Sequence, residues 1–483
     1  MKKAALRIVK PATDDIDRLA ENDEVAQREK SECPTMTDSR WAEQLVKEHG
    51  DHLRYVEESH KWMAFDGKRF KLDGGAGIHQ RAKATIRALH AKALEWPESE
   101  RRTATIKAAL AAESRQRRDA IVALAQHEPE VRVSANNLDA DPWLLNVLNG
   151  TIDLKTGKLR QHRREDLITK LAPVDYSPSA KCPLFKRFLA RILGNNRELI
   201  AFLQRAIGYS LTGCVNEQLL FFLHGDGQNG KSTFAGVLLD VLGDYGKQAA
   251  PDLLLAKKNE SHPTEKADLL GARFVVTQEI EDGRRMDEVT VKQLTGGDRV
   301  KGRFMFKDFI EFNPTHKLWL CANHRPAVRG TDFAIWRRIS LIPFTVIIPE
   351  RERDSDLPEK LRTELPGILR WAVEGCLLWQ QDGLKLPGVV RAASADYRSE
   401  QDLVGQFLTK WTVADPRSQA SAAELYKTFK DHCEAVGVRP WSQKLFGTRL
   451  GGRPGLSKSN TRDGVVWGGL RLLDLSNPEG WGK

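Results

Sequence analysis

The chain has 483 residues, 41% of them hydrophobic and 29% charged, with a formal net charge of +10. That length exceeds what one hydrophobic core supports, so several domains are expected. The composition is that of a soluble globular protein, not of a disordered or collagen-like one. Six cysteines (33, 182, 214, 321, 376 and 433) stand singly with no C-x-x-C pair, which argues against a zinc ribbon or a disulfide framework and suits a reducing, cytoplasmic setting.

The opening MKKAALRIVKPATDD is basic, but its apolar stretch is short and interrupted by Arg7, unlike a signal peptide. No run approaches the roughly 18 apolar residues of a membrane span. Residues 1–37 are polar and read as a flexible arm. SRWAEQLVKEHG predicts a short amphipathic helix stopped by Gly50, and LRYVEESHKWMAFDGKRFKLD predicts two strands about the turn Asp66-Gly67. Two helical stretches follow on either side of Trp96-Pro97, the second over about 101–127. Turn signals at Asn149-Gly150 and Thr156-Gly157 predict a loop with short strands. Asp139 and Asp141 form a D-x-D that could hold metals, but Asp before a proline is an ordinary turn former. CPLFKRFLARIL and RELIAFLQRAIGYSLTG read as helices.

LLFFLHG is then a continuous apolar run, as expected of a strand buried on both faces. It leads into GDGQNGKST, residues Gly225, Asp226, Gly227, Gln228, Asn229, Gly230, Lys231, Ser232 and Thr233, and then into an apolar helical pattern closed by glycine. In G-x-x-x-x-G-K-S the glycines let backbone N–H groups face an anion, the lysine reaches the outer phosphates, and the serine hydroxyl ligates magnesium. ATP and Mg²⁺ are therefore the expected cofactors. A second apolar run, RFVVTQEIE, ends in two acids; Glu279 is closer to the strand than Glu281 and is the expected Mg²⁺ and catalytic carboxylate. VKGRF and FIEFNP predict a hairpin with Met305 to Asp308 at its tip. KLWLCAN is a third apolar strand ending in Asn323, an amide able to bond a phosphate and a water. FAIWRRISLIPF places Arg337 and Arg338 before a further strand, where an arginine can pair with a carboxylate or act on a neighbour's nucleotide. Helical patterns follow. The last segment reads helix, helix, two-stranded ribbon, which is the order of a winged helix.

NGKST, VVTQE, KQLTGGD, FNPTHKLWLCANHRP and IWRRISLIPF, in that order, resemble the superfamily-3 helicases, specifically the phage and plasmid primase–helicase family whose relatives include the poxvirus primase-helicase. Upstream, NVLNGTIDL, CPLFKRFL and AIGYSLTG resemble the domain preceding the helicase core in that family. The resemblance implies an α/β fold: a P-loop AAA+-type core with a parallel sheet over 201–347, preceded by a mixed α+β and helical domain over 38–200. A helical region over 348–400, a winged-helix domain over 401–475 and a tail over 476–483 would follow.

It further implies an ATP-dependent DNA helicase of phage, prophage or plasmid replication in a bacterial cytoplasm, assembled as a homo-hexamer that translocates 3′ to 5′ on single-stranded or forked DNA. Lys231, Ser232, Glu279 and Asn323 would serve ATP. Arg338 would be the arginine finger, with Arg337 as runner-up. Lys307 would touch the DNA backbone from the hairpin tip. In the last domain Lys444, Arg449, Arg453, Lys458 and Arg462 could meet phosphates, although a winged helix often serves protein contacts instead. Many members carry two adjacent acids in the second motif, whereas here the first is Gln278. About 200 upstream residues leave no room for a primase domain, so a separate primase or replication initiator is the expected partner. The competing expectations are an origin-binding initiator and a DNA-loading ring with little unwinding.

Overall fold

The computed structural model describes residues 36–257, 263–278, 281–305, 307–330, 333–462 and 464–473. The chain divides into two compact units, one running to Ala140 and including His162–Lys170, the other comprising Asp141–Gln161 and everything from Leu171 onward. This division cuts across the single 38–200 domain of the sequence reading. The physical reason is that residues 141–161 form a small meander whose Leu145, Val147 and Ile152 pack in the second unit's core.

The first unit contains α1 (Asp38–His49), β1 (Leu53–Val56), β2 (Lys61–Phe65), β3 (Phe70–Leu72), α2 (Ala76–Leu94), α3 (Glu100–Ala112), α4 (Arg115–Ala125) and β4 (Arg132–Val133). Thr37 caps α1 by accepting from Arg40 N, and Trp41, Leu45 and Val46 bury its apolar face. The sheet order is β3-β2-β1-β4. Two departures from the sequence reading stand out. Three strands replace the expected two, because the chain also turns at Glu57–His60, which has no Gly, Pro or Asn and holds His60 at φ +52°. The helical stretch 101–127 is two helices broken at Ser114, so that Ala109 and Ala112 of α3 and Ile121 and Ala125 of α4 all reach one core. Asp139 ties its segment to a distant one, accepting from Thr169 N at 2.7 Å.

The second unit opens with β5 (Leu144–Val147), β6 (Gly150–Asp153) and β7 (Lys158–Arg160), joined at the two expected turns. Asp141 precedes them and accepts from Trp143 N at 2.8 Å, so it acts as the expected turn former, whereas Asp139 bonds a segment 30 residues on. Next come α5 (Pro183–Ile192), α6 (Arg197–Leu211), β8 (Leu220–His224), α7 (Lys231–Leu242), β9 (Gly246–Gln248), α8 (Pro263–Ala267), β10 (Phe274–Gln278), α9 (Glu288–Thr295), β11 (Val300–Arg303), β12 (Phe309–Phe312), β13 (Lys317–Ala322), α10 (Phe333–Trp336) and β14 (Ile339–Pro343). The parallel sheet expected from the apolar runs is present in the order β14-β8-β13-β10-β9. Strand alternation divides it between two cores: Leu220, Phe222, Leu318 and Leu320 face one. Phe221, Leu223, Trp319 and Cys321 face the other, with the Phe221 and Trp319 rings stacked 4.4 Å apart.

At the opposite end of the sheet two buried basic side chains take over the carbonyls left at the C-terminus of α6. Arg273 donates to Leu211 O at 2.7 Å and Leu144 O at 2.9 Å, while Lys317 donates to Thr315 O at 2.9 Å and to Thr212 O. Burial, with Arg273 adding, holds Lys317 far below the usual lysine range. Next to it His316 is buried, and desolvation lowers it to about 4. The folded state thus binds fewer protons than the unfolded chain between pH 6.5 and 4, so stability is full above 6.5 and falls as pH drops through that window. The loss expected from this one group is about 3 kcal/mol. Denaturant midpoints measured across pH 4–7 should show it, and His316→Gln should flatten the profile; an unchanged slope in the variant would acquit His316.

The chain continues through α11 (Leu357–Arg362), α12 (Leu365–Asp382), α13 (Gly388–Gln401), α14 (Leu403–Trp411), β15 (Thr412–Ser421), α15 (Ala422–Ala435), α16 (Gln443–Gly451), β16 (Ser457–Thr461) and β17 (Gly464–Leu472). Ser442 caps α16 through Leu445 N at 3.3 Å. The helix, helix, ribbon order is as expected, around a core of Phe407, Phe429, Phe446 and Trp467. The unforeseen piece is β15, which makes the sheet β15-β17-β16. Its pairing skips from Asp415 to Gln419, so Pro416 sits in a bulge where no ladder N–H is required. Among the described residues no helix is long and apolar enough to cross a membrane.

Candidate functional site

β8 delivers the chain to the loop Gly225–Gly230, and α7 begins at Lys231. Two of the glycines are required by contact. A Cβ on Gly225 would lie 2.1 Å from Phe344 O, and one on Gly230, at φ +83°, would lie 2.7 Å from Ile192 Cγ2. Gly227 has open space around it. Asn229 is buried beneath the loop and donates to Phe344 O at 3.2 Å, and Ile348 N donates to Gln228 O at 3.0 Å. The segment after β14 therefore braces the loop from below. Asp226 is exposed on its rim.

Lys231 is only 5% exposed. Its ammonium donates to Gly225 O at 2.6 Å, Asn229 Oδ1 at 2.9 Å, Asn323 Oδ1 at 3.0 Å and Asp226 O at 3.4 Å. Burial lowers its pKa, with Cys321 and Asp226 pulling the other way. Asn323 reaches this lysine because β13 lies between β8 and β10 in the sheet, although about a hundred residues separate the two motifs. Ser232 is exposed and Thr233 half-buried on the first turn of α7, where free backbone N–H groups and the helix dipole favour an anion. Loop residues 227–233, Gln278 and Cys321–His324 line a cleft of about 550 Å³. His224, closing β8, is pushed down to about 4 by burial together with Arg325 and Lys231, and is neutral near pH 7. Nothing in LLFFLHG had marked it, since its environment comes from Arg325 on another strand's loop.

The other expected site residues that the structure describes fall elsewhere. Glu279 lies outside the described residues; Gln278, just before it, is on the cleft wall. Glu281 is exposed and pairs with Arg284 at 3.3 Å. Arg338, the expected finger, is 8% exposed and donates to Thr295 Oγ1 at 3.1 Å and to Ala334 O, so as placed it serves its own core. Arg337 is the exposed member of the pair and touches Gln218 Oε1 at 2.9 Å. Lys307 is exposed between β11 and β12. Lys444, Lys458 and Arg462 are exposed, whereas Arg449 donates to Arg329 O at 3.2 Å and Arg453 pairs with Asp402. None of these cations lines the cleft. Among the described residues no cluster of three His, Cys, Asp or Glu could hold a metal.

Fold and cleft together define a mixed α/β protein whose glycine-loop cleft opens at the carboxyl ends of a parallel sheet, where open α/β sheets bind ligands. More particularly, in sequence the chain is similar to viral putative helicases and, over its N-terminal part, to a D5-type domain. Residues 42–194 match the family described as D5 N terminal like, and residues 223–338 match a family of unknown function, DUF5906. The chain is 27% identical over 322 residues to "Putative helicase L207/L206" of Acanthamoeba polyphaga mimivirus, covering 61% of this chain and 33% of that protein. It is 25% identical over 382 residues to "Putative helicase 022R" of Frog virus 3, covering 62% and 39%. It thus spans between a third and two fifths of the length of these relatives. The apo C-terminal region of NrS-1 superposes over 90% of this chain and 100% of that one, at a TM-score of 0.48 and 8% identity.

Proposed function

We propose that the chain is an ATP-driven DNA helicase subunit acting in replication. The observation that carries this reading is the Lys231 ammonium, held at once by the glycine loop and by Asn323 from the adjacent strand. The cradle fits a triphosphate: its two packed glycines leave no room for side chains, and a helix N-terminus with an exposed Ser232 hydroxyl stands beside it. Gly225 to Thr233 would wrap the phosphates, Lys231 would neutralise them, and Ser232 with Glu279 would hold Mg²⁺, which supplies charge stabilisation at the transferred phosphoryl group. Asn323 would orient the attacking water.

In this reading the subunits form an AAA+-type, superfamily-3 homo-hexamer around single-stranded DNA. Lys307 meets the backbone, and the C-terminal segment acts as a winged helix presenting Lys444 and Lys458. The test is strand displacement on forked DNA of both polarities, with ATP and with a non-hydrolysable analogue. ATP-dependent displacement from one polarity is expected. DNA binding that needs ATP but yields no displacement would instead favour an initiator or a loading ring.

We further infer that Arg337, the exposed member of the pair, is the arginine finger in place of Arg338, and its exposure supports this reading. Arg337→Ala should leave stability unchanged yet remove ATP turnover, and mixing it with Lys231→Ala subunits should restore part of the rate. Arg338→Ala should act through the fold, costing about 1–3 kcal/mol by leaving buried partners unsatisfied. A mixture no more active than its two components would remove Arg337 from the neighbour's site.

A further inference from the structure

The β11–β12 hairpin has two unlike faces. Val300, Gly302, Ile310 and Phe312 turn toward the body of the unit, and a Cβ on Gly302 would lie 2.5 Å from Ala267 N, so the backbone itself rests on α8. On the opposite face Phe309 is 53% exposed, with Lys301 Nζ and Arg303 Cζ each 5.0 Å from its ring centroid. Arg303 is its cross-strand partner, and Met305 near the tip is 61% exposed. An aromatic ring left open to solvent loses the free energy that burial would supply. Nothing in hairpin geometry demands one here: β12 is anchored by Phe312 on its other face.

We propose that this face is a base-stacking platform for single-stranded DNA, centred on Phe309. The inference rests on the DNA-binding reading above and adds to it that bases, and not phosphates alone, are gripped. Charge selects the occupant. Lys301, Arg303 and Lys307 outnumber Asp308 and Glu311 on the hairpin, which suits a polyanion better than an apolar protein surface. A purely phosphate-tracking surface has no use for an exposed ring, whereas a ring flanked by cations accepts any base on its π-face while the cations meet the adjoining phosphates. Stacking of this kind tolerates every sequence, as a translocating protein requires.

The experiment compares oligo(dT) with an abasic strand of equal length, which carries the same phosphates without bases. Phe309→Ala and Phe309→Leu should each weaken binding to oligo(dT) by about tenfold, leave the abasic strand unaffected, and leave the far-ultraviolet dichroism unchanged. Phe309→Trp should keep the affinity, since any aromatic face serves. Lys307→Ala should weaken both strands alike and lower the slope of log K against log salt by about 0.7. Equal losses on both strands for Phe309→Ala, or none on either, would overturn the platform while leaving DNA binding intact. A parent chain that binds neither strand would overturn the DNA-binding reading and this inference with it.

Discussion

Lys231→Ala is expected to cut steady-state ATP turnover by at least about a hundredfold, the scale seen when one preorganised charge-stabilising donor is removed from an active site. The ammonium is gathered by carbonyl and amide oxygens of Gly225, Asn229 and Asn323, all within 3.0 Å. Its truncation leaves those oxygens facing the cleft with no positive charge for a phosphate to meet. Lys231→Arg should be nearly as damaging, because a planar guanidinium cannot occupy a pocket shaped for a compact point charge. DNA binding should persist in part, since Lys307 and the C-terminal cations are not on the cleft wall. Phosphate release and fluorescent-nucleotide titration would measure the two effects separately. Turnover within tenfold of the parent would remove Lys231 from the chemistry.

The second large effect is on stability. A Cβ at Gly208 of α6 would lie 2.0 Å from Cys376 N and 2.2 Å from Gly375 C, and one at Gly375 of α12 would lie 2.0 Å from Gln204 O. The two helices touch backbone to backbone, and no rotamer change can make room. Gly208→Ala gains about 1 kcal/mol of helix propensity, but the overpacking it forces costs about 3 kcal/mol or more. A net loss of a few kcal/mol is expected in urea unfolding, visible as a lower midpoint. Gly236 on α7 supplies the opposite sign: no atom lies within 4 Å of its built Cβ, so Gly236→Ala should stabilise by up to about 1 kcal/mol. Equal midpoints for the Gly208 variant and the parent would contradict the contact.

Both effects begin from residues quoted as sequence, yet they were not equally legible. The loop, its preceding strand and its following helix could be read because glycine spacing, a continuous apolar run and helical periodicity are all local signals. The hairpin over 300–312 was legible for the same reason. Gly208 and Gly375 were not. In AIGYSLTG and VEGCLLW they are merely helix residues of poor propensity, and their purpose appears only when two helices far apart in the chain are laid against each other.

The sequence by itself determined most of the elements, since strand and helix periods, caps such as Asn196 and Ser442, and glycine stops act within a few residues, but not β15 or the turn at Glu57–His60, which carry no such local signal. The tertiary structure alone decided which elements are neighbours: that β13 would enter the sheet beside β8 and bring Asn323 to Lys231, and that Arg273 and Lys317 would be buried at the end of α6. It also decided that Arg338 turns inward while Arg337 stays exposed. Successive residues in a helical turn point about 100° apart, so the sign of that difference depends on which side Ile335 and Trp336 bury. That choice is made by packing partners supplied from elsewhere in the chain, and no local pattern encodes it.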